Sequence, residues 1–305
     1  MSLAVRHDLE HAVHVSHEGG PLLSYTYRPT EAQFESPRPF VHPLYTRGGE
    51  LLSLYRPHDH VWHKGIAWSL PIVGDANFWG GPTFVRGEGY VQLPNNGSQD
   101  HEAFTQLSVS AERATIAHDL LWHFEDGGEA VRESRELGVV LGTGENADTW
   151  TLTFSSTMRN VSGTDLPLGS PTTRGRENAG YGGLFWRGPR SFTGGTILAP
   201  EFAGGDEFRG VHAPWAGFTG LSDGLATGST LVIVDDTANP AHPPQWFART
   251  EEFAGLNPAP FFSEEIPFAD GQEITFRYAV VIADGAATPE RGAALAQVGT
   301  AVLGG

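Results

Sequence analysis

The chain has 305 residues but no cysteine and a single lysine. Without cysteine, disulfide bonds and thiolate zinc sites are excluded. The sequence also has no run of about 18 apolar residues, so we expect no membrane-spanning helix. The segment 1–17 is charged and lacks the apolar core of a signal peptide. We therefore expect a cytoplasmic protein with no membrane partner.

Basic residues are also scarce, with 19 Lys and Arg against 36 Asp and Glu and a formal net charge of −17. Nucleic-acid binding requires a basic surface, so nucleic acid is excluded as an expected partner. The chain nevertheless has 18 Phe and 8 Trp, which a disordered protein would not have. Its 39 Gly and 21 Pro indicate many tight turns.

Strand patterns dominate the sequence. Period-two alternation or a short apolar run predicts strands at Leu22–Tyr27, Leu51–Tyr55, Phe104–Ser110, Thr115–Phe124, Val131–Leu141, Thr149–Met158, Ser229–Val234 and Glu273–Ile282. The turn Asp126-Gly127-Gly128 predicts a long hairpin over Ala114–Leu141. His118, within this hairpin, is expected at the surface or at the edge of the core. Segments 160–230 and 235–265, rich in Gly, Pro and aromatic residues, are expected to be long ordered loops.

One helix is predicted at about 288–303, because Thr288 can cap it and Pro289 suits its first position. Many strands with one helix favour two packed antiparallel sheets. We therefore predict a mostly β protein: a large antiparallel β-sandwich in a single domain spanning residues 1–305, with a short C-terminal helix. Exposed strand edges could also support a homo-oligomer.

The most informative segment is Arg56–Gly65, which contains three histidines, an aspartate, an arginine and the lysine within ten residues. His58 and His60 would share one face of an extended backbone, and His63 follows three residues later. This spacing favours a general acid/base pair or a metal site. The alternative is a hydrogen-bonded polar cluster that only ties a loop. Arg56 and Lys64 are candidates for substrate binding.

Aromatic and amide residues flank this segment on both sides. His42 and Tyr45 precede it, while Asn77 and Trp79 follow it. Ligand pockets combine aromatic walls with a few polar groups, and sugar rings have apolar faces and polar edges. These four residues are therefore expected to bind substrate, although ordinary core packing is an equal alternative for Trp79.

Two later segments have the same character. In the first, Glu177 could be a tuned acid or base, or could simply pair with a neighbouring arginine, and Asn178 could bind substrate. In the second, prolines stiffen the chain around His242 and Trp246, which are our candidates for catalysis and substrate binding respectively. The alternative for His242 is a purely structural role, which is the commoner one for a lone histidine.

These segments together resemble a bacterial family of unknown function often labelled "methane oxygenase PmoA". The resemblance rests on Pro39–Tyr45, Arg56–Gly65, Asn77-Phe78-Trp79, Glu133-Ser134-Arg135, Glu177–Gly183, Asn239-Pro240-x-His242-Pro243-x-x-Trp246 and Asn257-Pro258. It covers about residues 20–283. The relatives are soluble and look like β-sandwich proteins of the galactose-mutarotase type, which implies that the chain handles carbohydrate.

We expect a small-molecule carbohydrate ligand and acid/base chemistry of a mutarotase, epimerase or lyase kind. His58 or His60 would take a proton, and His63, His242 or Glu177 would return one. A non-catalytic sugar-binding protein is the first alternative. A metal-dependent enzyme using His58, His60 and His63 is the second, since imidazoles suit zinc or iron. No cofactor is otherwise expected.

Overall fold

A computed structural model describes residues 2–223 and 227–304, and the elements below refer to these residues. The strands, in chain order, are β1 Leu3–Asp8, β2 Ala12–His17, β3 Gly20–Thr26, β4 Phe40–Leu44, β5 Ile66–Val73, β6 Ala76–Phe78, β7 Thr83–Val85, β8 Gly89–Val91, β9 Ser98–Val109, β10 Arg113–His123, β11 Glu129–Leu141, β12 Thr149–Asn160, β13 Leu168–Gly169, β14 Gly183–Arg187, β15 Thr196–Ala199, β16 Phe202–Gly204, β17 Trp215–Leu221, β18 Gly228–Asp235, β19 Gln245–Arg249, β20 Gly255–Ala259 and β21 Glu273–Asp284. The helix α1 spans Pro289–Leu303.

The strands form two large antiparallel sheets and a separate hairpin. The first sheet has the order β1-β2-β3-β4-β5-β14-β20-β19, with β6 and β13 paired to β5. The second has the order β16-β15-β17-β18-β21-β12-β11-β10-β9, and β7 pairs with β8. The mostly β, antiparallel sandwich predicted from the sequence is therefore confirmed.

The two sheets pack face to face over an aromatic core. Trp68 on β5 of the first sheet contacts Phe154 and Phe276 of the second, with ring centroids 5.7 and 5.1 Å apart. Trp122 and Trp186 are also fully buried in this core. Such large rings dominate the apolar area removed from water, so they hold the layers together.

Helix α1 packs on the outer face of the second sheet. Leu295 and Ala296 contact Val232 and Val234 of β18, whose neighbours Leu231 and Ile233 face the core instead. This alternation is the period of two expected of a strand buried on both faces. Thr288 accepts a hydrogen bond from the backbone N of Arg291, as the predicted cap requires. Among the described helices, none has the length and apolar character needed to cross a membrane.

The predicted long hairpin is confirmed as β10 and β11, and five further strand predictions match observed strands. The prediction for Leu51–Tyr55 is wrong, since only isolated bridges form at its two ends. The prediction of loops at 160–230 and 235–265 is also wrong, because these segments contribute seven strands, β13–β17, β19 and β20. Their strands are short and interrupted by Gly and Pro, as in Gly255–Ala259, so they lack a clear period.

His118 is fully buried, which contradicts its expected position at the surface or at the edge of the core. It lies on the inward face of β10, where Nε2 is 2.8 Å from the hydroxyl of Tyr25 on the opposite sheet. Its Nδ1 lies 2.9 Å from Nδ1 of His101. A histidine is therefore accommodated in the core because both ring nitrogens have partners.

Candidate functional site

A cavity of about 340 Å³ lies on the face of the first sheet that points away from the second. The alternation of side chains along β14 and β19 identifies this face. Phe185 and Phe247 belong to the hydrophobic clusters around the cavity, while their neighbours Trp186 and Trp246 lie in the core between the sheets. The cavity is lined by His60, Trp62, His63, Trp79, Gly80, Pro82, Tyr90, Arg176, Tyr181, Phe247, Arg249, Glu252 and Phe253.

The loop Arg56–Gly65 precedes β5 and is held from below by buried charges. Glu35, 1 % exposed, accepts hydrogen bonds from Arg56 at 2.7 and 3.0 Å and from Lys64 at 2.5 Å. Burial alone would raise the pKa of Glu35, but these two cations hold it below its ordinary value. Arg38, also buried, donates to the carbonyl of Trp62 at 2.7 Å. The loop is therefore fixed before any ligand binds.

Asp59 and His60 form a carboxylate–imidazole pair at the edge of the cavity. Nδ1 of His60 donates to Oδ2 of Asp59 at 2.8 Å. The same oxygen accepts a hydrogen bond from the buried Arg187 at 3.0 Å, and Oδ1 accepts one from Arg190 at 3.0 Å. Burial opposes ionisation of Asp59, but the bonds from His60 and Arg187 outweigh it and hold its pKa well below the ordinary value.

His63 lies behind His60 in a box of aromatic rings. The two imidazoles stack with centroids 4.7 Å apart and planes 13° apart. Phe185 and Trp79 lie 4.7 and 5.6 Å from the His63 ring. Nδ1 of His63 accepts a hydrogen bond from Arg187 at 3.0 Å. Burial lowers the pKa of His63 well below the ordinary value, so its ring is neutral.

Trp79, Tyr181 and Phe247 form a continuous aromatic wall. Tyr181 lies 4.6 Å from Trp79 and 5.6 Å from Phe247, measured between ring centroids. Trp62 packs flat on Gly81, where an added Cβ would come within 2.7 Å of the indole ring. The φ of +69° at Gly81 also favours glycine. The adjacent glycines in the sequence therefore make room for an indole at the cavity edge.

The remaining charged lining residues come from distant segments. Arg249 lies 3.5 Å from carboxylate oxygens of both Asp206 and Glu252. Arg176 donates to the hydroxyl of Tyr90 and lies over its ring, with Cζ 4.7 Å from the centroid. The cavity therefore combines an apolar wall with imidazole, guanidinium and carboxylate groups.

Of the candidate site residues, His60, His63 and Trp79 line the cavity. His58 lies beside it and accepts a hydrogen bond from Arg190 at 2.9 Å. Asn77 is buried behind the wall, where its Oδ1 accepts from the backbone N of Trp79 at 2.8 Å. It therefore positions an aromatic residue of the wall.

The other candidates lie outside the cavity. The exposed Arg56 and the buried Lys64 both pair with Glu35 instead. His42 hydrogen-bonds Ser53 and lines a different, smaller cavity. Tyr45 forms an isolated backbone β-bridge with Leu51. Glu177 and Asn178 are exposed on a neighbouring turn.

His242 and Trp246 lie on other parts of the fold. Nδ1 of His242 bonds Asp235 at 2.6 Å, next to the end of β18. Trp246 is fully buried between the sheets and donates its indole N–H to the carbonyl of Ala213 at 2.8 Å. The alternation of β19 explains the second result, because Phe247 and Arg249 take the cavity face while Trp246 takes the core face.

The candidates chosen from the sequence did not include most of the residues that line the cavity. They left out Tyr90, Arg176, Tyr181, Phe247, Arg249, Glu252 and Phe253, as well as the supporting Arg187. One signal was available: Phe247 and Arg249 are two apart in a segment that alternates, and would share one face of a strand. The others are brought in by sheet order, which a single sequence does not reveal.

The geometry does not assemble the metal site considered for the three histidines. Among residues 2–223 and 227–304, no group of three His, Cys, Asp or Glu side chains could hold a metal ion. Arginine side chains donate to Nδ1 of His58 and of His63, so these nitrogens already face a positive charge. A cation would be repelled at both positions.

Comparisons with known proteins identify a family and a set of distant folds. A family model described as "Family of unknown function (DUF6807)" matches residues 12–297. No curated protein matches the sequence. Solved structures that match include galactose 1-epimerase from Lactobacillus acidophilus, at 8 % identity and a TM-score of 0.41, covering 93 % of this chain and 98 % of that one.

Two larger enzymes match over part of their length. Heparan sulfate lyase HepC from Pedobacter heparinus matches at 7 % identity and a TM-score of 0.40, covering 91 % of this chain and 34 % of that chain. The GH36 alpha-galactosidase AgaA from Geobacillus stearothermophilus matches at 10 % identity and a TM-score of 0.39, covering 93 % and 41 %. The chain thus spans about a third of the length of the lyase. At such TM-scores no activity can be transferred.

Proposed function

The chain belongs to the DUF6807 family of unknown function, and we propose that it is a carbohydrate-active enzyme in which His60 is the acid/base. The observation that supports this proposal is the Asp59–His60 pair at the edge of an aromatic-walled cavity. The sugar would lie against the wall of Trp79, Tyr181 and Phe247, since apolar ring faces of sugars suit aromatic surfaces.

The hydrogen bond to Asp59 determines which nitrogen of His60 can react. Asp59 is ionised and can only accept, so Nδ1 of His60 carries the proton. The neutral imidazole then has a free lone pair on Nε2. When Nε2 takes a proton, the Asp59 carboxylate stabilises the imidazolium that forms, as in other carboxylate–imidazole catalytic pairs. His60 is thereby suited to remove a proton from a sugar hydroxyl or an acidic carbon.

His63 has the opposite polarity. Arg187 can only donate, so Nδ1 of His63 accepts and the proton lies on Nε2. His63 can therefore donate a hydrogen bond but is a poor base, because burial lowers its pKa. Arg187 contacts both Asp59 and His63, so it sets the tautomer of His63 directly and holds the carboxylate that sets the tautomer of His60. The site would offer an acceptor and a donor side by side.

A second function, sugar binding without catalysis, is favoured by one observation. Of the three residues expected to return the proton, Glu177 and His242 lie outside the cavity, and His63 lines it but is held neutral by burial, which lowers its pKa. Glu252 is the one carboxylate among the described lining residues, and it is paired with Arg249. A binding protein would need the same aromatic wall but no second proton-transfer group.

One experiment separates these functions. The protein is incubated with a panel of sugars, binding is followed by calorimetry and products by NMR. With a sugar that is converted, His60→Ala should lower turnover by ~10²–10⁴-fold, the range typical of a lost general acid/base. His123→Ala is the matched control, because His123 also pairs with an aspartate, Asp100, at 2.7 Å, but outside the cavity.

Unchanged turnover in His60→Ala would remove His60 from the proposed role. Saturable heat with no product at any time would favour the binding protein instead. If no sugar binds, both functions are wrong.

A further inference from the structure

The two arginines that line the cavity have different surroundings. Arg249 is neutralised by Asp206 and Glu252. Arg176 takes part in none of the ion pairs formed among the described residues of the chain, and its polar contact is the uncharged hydroxyl of Tyr90. The protein has a net charge of −17, so a guanidinium without a carboxylate partner gives this part of the cavity a charge opposite to that of the whole chain.

Arg176 is nevertheless held in place. It stacks on the ring of Tyr90, which belongs to the β7–β8 hairpin. The Tyr90 hydroxyl also lies 2.9 Å from the hydroxyl of Tyr181 on the aromatic wall. A cation over an aromatic face is stabilised by the ring quadrupole. The guanidinium is therefore tethered to the same wall on which the sugar would lie.

A second guanidinium lies close to the same segment. Gly175 has a φ of +99°, and a Cβ at this position would come within 3.1 Å of Nε of Arg86. Arg86 therefore passes directly over the backbone next to Arg176. This approach requires glycine, both for the conformation and for the space. Arg86 is not among the lining residues, but it places a second positive charge beside the backbone that carries Arg176.

We propose that the cavity accepts a carbohydrate bearing an anionic group, and that Arg176 binds this group. The inference rests on the proposed function and names its substrate class. A guanidinium offers five N–H donors in a planar fork, and Tyr90 engages it through only one hydrogen bond. The remaining donors match the two oxygens of a carboxylate, sulfate or phosphate, which is the geometry in which arginine binds oxyanions most strongly.

The test compares matched pairs of sugars by titration calorimetry at low salt. Each pair has a neutral member and an anionic member of the same stereochemistry: an oligosaccharide of galactose against one of galacturonic acid, glucose against glucuronic acid, and a neutral sugar against its sulfate and phosphate esters. These arms distinguish the possible sources of the oxyanion. The intact chain binds the anionic member about tenfold more tightly or better, as a charge-assisted pair of hydrogen bonds predicts.

Arg176→Gln should abolish this preference, so that the two members of each pair bind this variant with equal affinity. Arg174→Gln is the matched control. It lies two residues away and pairs with Glu265 at 3.5 Å, outside the cavity, so the preference should remain. Raising the salt concentration should weaken the preference of the intact chain but not that of Arg176→Gln, which has none.

Equal affinity for both members of every pair would overturn the inference, as would a preference that survives in Arg176→Gln. In either case, neutral sugars that still bind would leave the proposed function intact. Failure of neutral and anionic sugars alike to bind would overturn both.

Discussion

Nδ1 of His60 lies 2.8 Å from a carboxylate oxygen of Asp59, its neighbour in sequence. Adjacent residues rarely orient each other in an extended chain, because their side chains point to opposite faces. Here the backbone turns: the N–H of His60 bonds the carbonyl of Pro57 at 3.0 Å, and that of His63 bonds the carbonyl of His60 at 2.9 Å. The turn makes the pair possible, and Arg187 holds it from a strand 128 residues away.

The first prediction concerns Asp59→Asn. Asp59 does not line the cavity, so it would act on catalysis through His60 and not through substrate contact. With a converted sugar, we expect kcat to fall by ~10²-fold or more, because the imidazolium loses its carboxylate, while KM changes little. Steady-state kinetics test this. Asp100→Asn, in the matched pair with His123, should leave both constants unchanged. A rise in KM with constant kcat would contradict the role.

The second prediction concerns the anchor of the loop. Glu35→Gln removes the charge that pairs with Arg56 and with the buried Lys64. Lys64 then retains Glu31, 3.3 Å away, as a carboxylate partner. Breaking a buried ion pair typically costs about 3–5 kcal/mol, so the free energy of unfolding should fall by up to this order. Urea denaturation measures it. Glu136→Gln, in an exposed pair with Arg113 at 3.7 Å, is the control and should cost less than about 1 kcal/mol. If the two substitutions lower the free energy of unfolding equally, the buried pairs of Glu35 stabilise the protein no more than an exposed pair does.

The third prediction concerns acid stability. Burial lowers the pKa of His42 and of His101 to about 4, and lowers the pKa of His63 and His118 well below the ordinary value. These rings stay neutral in the folded protein but take up protons when the chain unfolds. The unfolded state then binds more protons, so stability must fall as the pH drops from about 6.5 to about 4.

One group acts in the opposite direction. Burial raises the pKa of Asp235 to about 6, so its protonation favours the folded state over the same pH range. Burial also lowers the pKa of His14, so five histidines against one aspartate leave a net loss of stability in acid. Urea unfolding at about pH 7 and about pH 5 tests this. His101→Asn should reduce the difference, and His11→Asn, at an exposed position, should not. Greater stability at the lower pH would contradict the prediction.

Much of the fold could be predicted from local patterns. The long strands β10, β11, β12 and β21 have clear alternation of apolar and polar residues. The turn Asp126-Gly127-Gly128 marks the β10–β11 hairpin and Thr288 marks the start of α1, and both signals come from residues close in sequence. The short strands of 160–265 could not be predicted in this way. Strands such as Gly255–Ala259 are stabilised by neighbours in the sheet, and their own sequence has little strand preference.

The site also combines features that the local sequence predicts with features that depend on the tertiary structure. The sequence by itself determined the turn-forming run that contains Asp59, His60 and His63, because residues close in the chain must lie close in space. The composition also shows that this run lies in an acidic chain without cysteine. Only the tertiary structure decided which side chains face it, since the sheet order β5-β14-β20-β19 places Arg187 and Phe247 beside a loop far from them in sequence. The tertiary structure also placed Trp246 in the core and paired Arg56 and Lys64 with Glu35, because burial and charge pairing depend on neighbours that one chain segment cannot specify.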